Sequence, residues 1–315
     1  MVESRSWRGI AALSVAVIMW ASFALTIRGI GSSSLTPADV ALMRFGTPAV
    51  LLAPWIPRAL RQLRSEKPLV LVLLAAGGLP HFLLSAWGGQ LTSASLVGIL
   101  LPGTAPLFVA AILWMWKRQR QSGPRVAALV VIVLGIGVTA ALTSSSATLA
   151  GIAILLGGGC AWAIYSIGLR DTRLDLTSVA LVVCVPAATC AALLGLTGLP
   201  SHLFAGTARL SDVVLFVVFQ GIGTGIVSTF AYAYAVRMLG SATAATWGAL
   251  SPVLTTLAAV PLLGEGITPA AVAALILIVG GVVAYNTVSL VPRRRHRPRA
   301  LPKTKAPLIA RSSDG

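Results

Sequence analysis

Ten apolar stretches of 17 to 22 residues fill most of this 315-residue chain: 9–27, 38–56, 69–87, 93–114, 126–142, 150–169, 177–196, 213–233, 242–263 and 269–285. At 1.5 Å per residue, about 20 helical residues cross the ~30 Å hydrocarbon core of a bilayer. Backbone groups in lipid must find their hydrogen bonds within the segment, so stretches of this length have to be helices. Composition agrees, with 57% hydrophobic and 10% charged residues and a mean hydropathy of +0.90, where a soluble domain carries roughly 25% charged residues. The 31 glycines suit helices that pack closely in lipid. The first stretch is too long for a cleaved signal peptide and lacks an Ala-x-Ala-like site before a soluble domain, so it counts as a span. Cys160, Cys184 and Cys190 lie inside the stretches without pairing or metal-ligand spacing and read as small hydrophobes.

A net charge of +16 points to nucleic acid in a soluble protein, but here the charges are sorted by connection. One set of alternate segments holds Arg5 and Arg8, Arg58 to Lys67, Lys117 to Arg125, Arg170 and Arg173, Arg237, and the run from Arg293 to Arg311; these are 21 of the 24 basic residues. The other set holds only Arg28 and Arg209, and Arg44 lies within a span. By the positive-inside rule both termini face the cytoplasm of a multi-pass protein in the cell (inner) membrane. The basic tail, 288–315, has no aromatic interleaving and reads as a topology anchor near anionic lipid, with no nucleic-acid partner.

The chain also repeats itself. Trp20-Ala21-Ser22-Phe23 is echoed by Trp162-Ala163-Ile164-Tyr165, and an arginine, Arg28 or Arg170, follows each tryptophan by eight residues. Pro106 in one span corresponds to Pro252 in another. Ten spans shared between two copies give five each, and an odd number forces the second copy to enter the membrane from the opposite side. The expected fold is therefore an all-α polytopic membrane protein of ten transmembrane helices arranged as two inverted five-helix repeats, 9–142 and 150–287, a recurring plan of secondary transporters.

The Trp-Ala-x-aromatic runs, the Arg44-Phe45 pair in the second span and the ninth span running from Pro252 to Gly264-Glu265 resemble the EamA family of the drug/metabolite transporter superfamily, over about residues 9–287. The resemblance implies export or exchange of small metabolites, often amino acids, through a central cavity between the halves. One departure stands out. The family often places a glutamate thirteen residues after the proline in both halves; Glu265 meets this after Pro252, but Gln119 occupies the place after Pro106.

Candidate site residues follow from helical spacing. Gln220, Thr224, Ser228 and Tyr232 recur every fourth residue, as do Thr243, Trp247, Ser251 and Thr255. Such stripes either line a water-filled cavity or knit packed membrane helices together. Counting ~1.5 Å per residue puts Trp20, Arg44, His81 and Gln220 about 9–12 Å below one face, and Trp162 and Trp247 at similar depth below the other. Tryptophan this deep is either core or a flat wall for a ligand's apolar part. Arg44 has no deep acid to pair with, and a guanidinium suits a substrate carboxylate through two parallel hydrogen bonds; snorkelling and carbonyl capping are its alternatives. Proton relays in membranes use Asp, Glu or His, which leaves His81 and Glu265 as coupling residues if protons drive transport.

No acid–base pair, activated nucleophile, metal cluster or phosphate loop accompanies these residues, so neither catalysis, a cofactor nor a metal is expected. The expected function is a secondary transporter working by alternating access. Its expected partners are a small carboxylate-bearing molecule, protons and the lipid bilayer; a structural or regulatory membrane protein is the alternative. The orientation has a direct check. Single cysteines at Ser122 and Ser145, in a cysteine-free background, are expected to react oppositely with an impermeant thiol reagent, Ser145 from outside and Ser122 only after permeabilisation.

Overall fold

The computed structural model describes residues 2–197 and 200–288, and no strand occurs among them. The tail, from residue 289 onward, lies outside the described residues. In chain order the helices are α1 (Val2–Gly29), α2 (Pro37–Leu51), α3 (Ile56–Leu63), α4 (Pro68–Ala75), α5 (Leu79–Leu91), α6 (Ala94–Lys117), α7 (Gly123–Ala141), α8 (Ser146–Asp171) and α9 (Leu176–Thr197). They continue with α10 (Leu210–Phe216), α11 (Ser228–Leu239), α12 (Ser241–Gly248), α13 (Ser251–Leu263), α14 (Pro269–Ala274) and α15 (Gly280–Val288). π-helical segments, Val217–Val227 and Leu275–Val279, join α10 to α11 and α14 to α15.

Among the described residues, eight helical runs are long and apolar enough to cross a membrane, and the bent pair α2 and Ala53–Leu63 makes a ninth if counted as one span. That pair bends by 59° where Pro54 and Pro57 interrupt the ladder. The third stretch stands as one crossing run, Pro68–Leu91, with a turn at Ala76-Gly77-Gly78 between α4 and α5, just before Pro80. The ninth stretch, read as one helix over 242–263, is two, Ser241–Gly248 and Ser251–Leu263, and Pro252 lacks the N–H that a continuous helix would direct to the Gly248 carbonyl.

Small residues let the helices approach. α5 and α8 cross at Gly88 and Gly151, where a Cβ on either glycine would lie 3.1 Å from the other's carbonyl oxygen. Large apolar side chains such as Val72, Leu134, Leu193, Leu262 and Ile276 point outward, as a lipid-facing exterior requires. Of the cysteines, Cys184 is buried, Cys160 half-buried and Cys190 exposed.

Polar contacts between the connections sort into two groups. In the first, Glu66 accepts from the Thr172 hydroxyl (2.7 Å) and the Arg173 amide (2.8 Å), Asp175 pairs with Arg58 (2.7 Å) and Gln62 (2.8 Å), and Lys117 pairs with Asp171 (3.2 Å). In the second, Asp39 accepts from the Ser201 hydroxyl and the His202 amide, Asp212 accepts from the Ser34 amide (2.7 Å), and Arg28 pairs with Glu265 (2.9 Å). The first group gathers the arginine-rich connections and the second the arginine-poor ones, so the bundle has a basic face and a sparsely charged face. Helix caps sit among these contacts. Thr36 and Asp39 form a reciprocal capping box at α2, and the Asp175 carboxylate accepts the Ser178 amide (2.8 Å) at α9.

Burial alone pushes the Asp175 carboxyl up, but the Ser178 amide, Gln62 and Arg58 outweigh it and hold it below the ordinary aspartate value. A depressed carboxyl stabilises the fold above its unfolded value and loses that contribution as pH falls through the folded one, so the clamp is fully present at neutral pH. Asp175→Ala removes a helix cap and an ion pair together and is expected to cost about 1–2 kcal/mol, read as a lower melting temperature in detergent at neutral pH.

Candidate functional site

Between α1 and α6 on one side and α8, α11 and α15 on the other lies a cavity of about 450 Å³. Trp20, Trp162, Tyr232 and Tyr285 give it aromatic walls, and the break between α12 and α13 puts Gly248 and Ala249 on its surface. The Trp20 and Tyr232 rings meet at 4.9 Å. Arg170, one residue before the end of α8, belongs to the lining, and Tyr285 packs beneath the Arg125 guanidinium (5.5 Å) at the start of α7. The cavity therefore reaches the basic face.

Behind Trp162 the packing continues as a row of rings. Trp162 lies 5.1 Å from both Tyr165 and His81, and His81 stacks on Phe23 (6.1 Å, interplanar angle 11°). The guanidinium of Arg44 sits 5.7 Å from the centres of both the Phe23 and Phe45 rings. Arg44 is thus separated from the cavity by the Trp162–His81–Phe23 layer. Its Nη1 donates to the Gln220 carbonyl (3.0 Å), while its Nε and the Gln220 Oε1 are buried without a hydrogen-bond partner among the described residues. His81 Nδ1 lies 2.9 Å from the Gly158 carbonyl; a carbonyl only accepts, so Nδ1 carries a proton.

The stripes divide. Tyr232 reaches the cavity, whereas Gln220, Thr224 and Ser228 are buried against other helices. Gln220 donates to the Thr26 hydroxyl (2.7 Å), and the Ser228 hydroxyl donates to the Thr224 carbonyl (2.7 Å). In the ninth stretch Trp247 is 43% exposed and outside the cavity lining, Ser251 is buried, and the Thr255 hydroxyl donates to the Ser251 carbonyl (3.0 Å). Of the residues singled out from sequence, then, Trp20 and Trp162 share the cavity with Tyr232. Arg44, His81 and Gln220 form a separate buried group. Glu265 lies at the sparsely charged face, where one oxygen meets Arg28 and the other accepts the Ala94 amide (2.8 Å) at the start of α6.

This arrangement, a cavity framed by helices from both halves of a duplicated helical chain, matches one family twice. The profile of the EamA-like transporter family aligns with residues 7–141 and again with 149–287. The chain belongs to the EamA-like transporter family. It is accordingly a multi-pass membrane protein of a transporter family, with a small-molecule substrate and the bilayer as its partners. A solved crystal structure shares the fold of this EamA-like protein at a TM-score of 0.61 and 20% identity, covering 93% of this chain and 100% of that one. No curated protein matches it significantly.

Several contributors escape a sequence reading. Phe23 and Tyr165 were legible only as the aromatic positions of the repeated runs, and Tyr285 only as a span end. Arg170 carried one signal, its spacing of eight from Trp162. The glycines of Gly221-Ile222-Gly223-Thr224-Gly225 left two roles open, unwinding or close packing. The structure has both a π-helical winding and close contacts, with Gly221 against Thr47, Gly223 against Met19 and Gly225 against Pro48. A Cβ on Gly221 would come 2.6 Å from the Thr47 hydroxyl and 2.9 Å from the Met43 carbonyl. Gly221→Val is expected to wedge this segment from α2 at a cost of about 1–3 kcal/mol. Gly137→Val, whose Cβ meets nothing within 4 Å, is expected to be neutral in the same melting experiment.

Proposed function

We propose that this protein is a secondary transporter that exports or exchanges small carboxylate-bearing metabolites, amino acids among them, by alternating access. Ten spans in two inverted halves, with both termini cytoplasmic, form the working frame; the sorting of basic residues and the double family match support it. The observation that carries the reading is the pairing of an open side with a tied side. The cavity reaches the basic face, which the charge rule makes cytoplasmic, while Arg28, Glu265 and the Ala94 amide fasten α1, the connection after α13 and the start of α6 together at the opposite face. This is the arrangement of a cytoplasm-facing state.

Cargo enters against Trp20, Trp162 and Tyr232. Arg44 anchors the cargo carboxylate once the Trp162–His81–Phe23 layer parts, because its Nε–H is the guanidinium donor left without a partner at depth. Gln220 orients Arg44 through its carbonyl, and Ser228, Trp247 and Ser251 complete the helices that rearrange. Coupling runs through His81, whose Nε2 is free to take a proton while Nδ1 holds the Gly158 carbonyl, and through Glu265, whose protonation removes the charge that binds Arg28.

Metabolite profiling of cells and medium with and without the gene is the test. One or a few small carboxylates are expected to accumulate inside cells lacking it. Trp20→Ala is expected to reproduce that accumulation at near-normal membrane abundance, and Glu265→Gln to make efflux insensitive to the pH gradient. Identical profiles with and without the gene would overturn the transport reading.

A further inference from the structure

We propose that Arg170 makes this cavity selective for organic anions, so that a carboxylate with an aromatic or apolar body binds in preference to the amine of the same body. The inference rests on the reading of the cavity as the cargo site and names the class of molecule it takes.

Arg170 is the single charged residue among those lining the cavity, and no Asp or Glu joins it. Its counterpart in the first half is Arg28, since each follows the tryptophan of its repeated run by eight residues. Arg28 is neutralised by Glu265, thirteen residues after Pro252. The same place after Pro106 is Gln119, which shares the wall of a small adjoining cavity of about 130 Å³ with Arg170, Lys117 and Asp171. Gln119 has the reach of a glutamate but no charge, and Asp171, the acid next in sequence, is paired with Lys117 at 3.2 Å. Arg170 therefore has no ion-pair partner among the described residues.

Two effects oppose each other here. Aromatic walls attract cations through their ring faces. An unpaired guanidinium at the mouth directs a positive field into the chamber and repels the same cation. A carboxylate meets no such conflict, because Arg170 can bind it through two parallel hydrogen bonds while the rings hold its body. The substitution that sets the two halves apart is thus the one that leaves a cation available at the open face.

The test uses three probes of one body, 3-phenylpropionate, 3-phenylpropanol and 3-phenylpropylamine, titrated calorimetrically into the full-length protein in lipid nanodiscs. The carboxylate is expected to bind up to about fivefold more tightly than the amine, with the alcohol between them, a ratio at the upper end of what one partly solvated charge contact supplies. Arg170→Gln is expected to erase the difference, and Arg170→Lys to keep part of it. Gln119→Glu, which leaves Arg170 in place but supplies the carboxylate that Arg28 has in Glu265, is expected to erase it as well. Equal binding of carboxylate and amine by the native protein would overturn the proposal while leaving the cavity as the cargo site. A carboxylate preference that survives Arg170→Gln would also overturn it and transfer the anion contact to another cation, Arg44 first. Failure of all three probes to bind would overturn the reading of the cavity itself, and the inference with it.

Discussion

Hydrocarbon offers no hydrogen bonds, so each backbone amide in a span must be satisfied by its own helix or by protein packed around it. Everything irregular in this fold obeys that constraint. The turn between α4 and α5 is covered by α8, with Gly77 under the Tyr165 ring, and α9, whose Val183 and Ala187 lie against Gly78. The π-helical Val217–Val227 lies against α1 and α2, and the break between α12 and α13 opens onto the cavity. Each irregular segment is thus covered by protein or, at Gly248 and Ala249, opens onto the cavity, because a broken helix in lipid is tolerated only where protein or a water-filled chamber replaces the missing bonds.

The same constraint explains how a guanidinium survives at Arg44. With no deep acid available, it is held by two aromatic faces and one backbone carbonyl, contacts that are individually modest, of order 1 kcal/mol each. Gln220 does two jobs there, offering its carbonyl to Arg44 and spending its amide on Thr26 and the Phe23 carbonyl (3.4 Å). The result is a polar knot tying α1, α2 and the π-helical segment behind the aromatic layer, in which the Arg44 Nε and the Gln220 Oε1 are both buried without a partner among the described residues.

Much of this was legible in the chain. Lengths of apolar sequence located the spans, and the repeated tryptophan runs marked the two halves that the family profile matches separately. Prolines and glycines were visible too, but hydropathy averages over them, so the turn at Gly77-Gly78 and the split before Ser251 were not drawn. The stripes assumed an unbroken 3.6-residue period. Gln220 and Thr224 both lie in the π-helical Val217–Val227, whose winding is wider than 3.6 residues per turn, so the face that starts at Gln220 is not the face that ends at Tyr232. Trp247 fell away for a related reason, because its helix ends at Gly248. The Arg28–Glu265 contact joins residues 237 positions apart, a distance at which one sequence carries no pairing signal.

That contact exists at one face only, and its strength is bounded by its surroundings. The Arg28 side chain is 36% exposed and the Glu265 side chain 15%, so water and salt screen the pair and its worth is at most about 1 kcal/mol. In the proposed alternating-access cycle, a one-sided bias of about 1 kcal/mol would leave roughly five molecules in the tied conformation for each one out of it. Such a bias would set the resting side of that cycle and yet be small enough for one bound cargo molecule to reverse. Because the pair is screened, the proposed balance would shift with the ionic strength of the compartment that bathes the tied face.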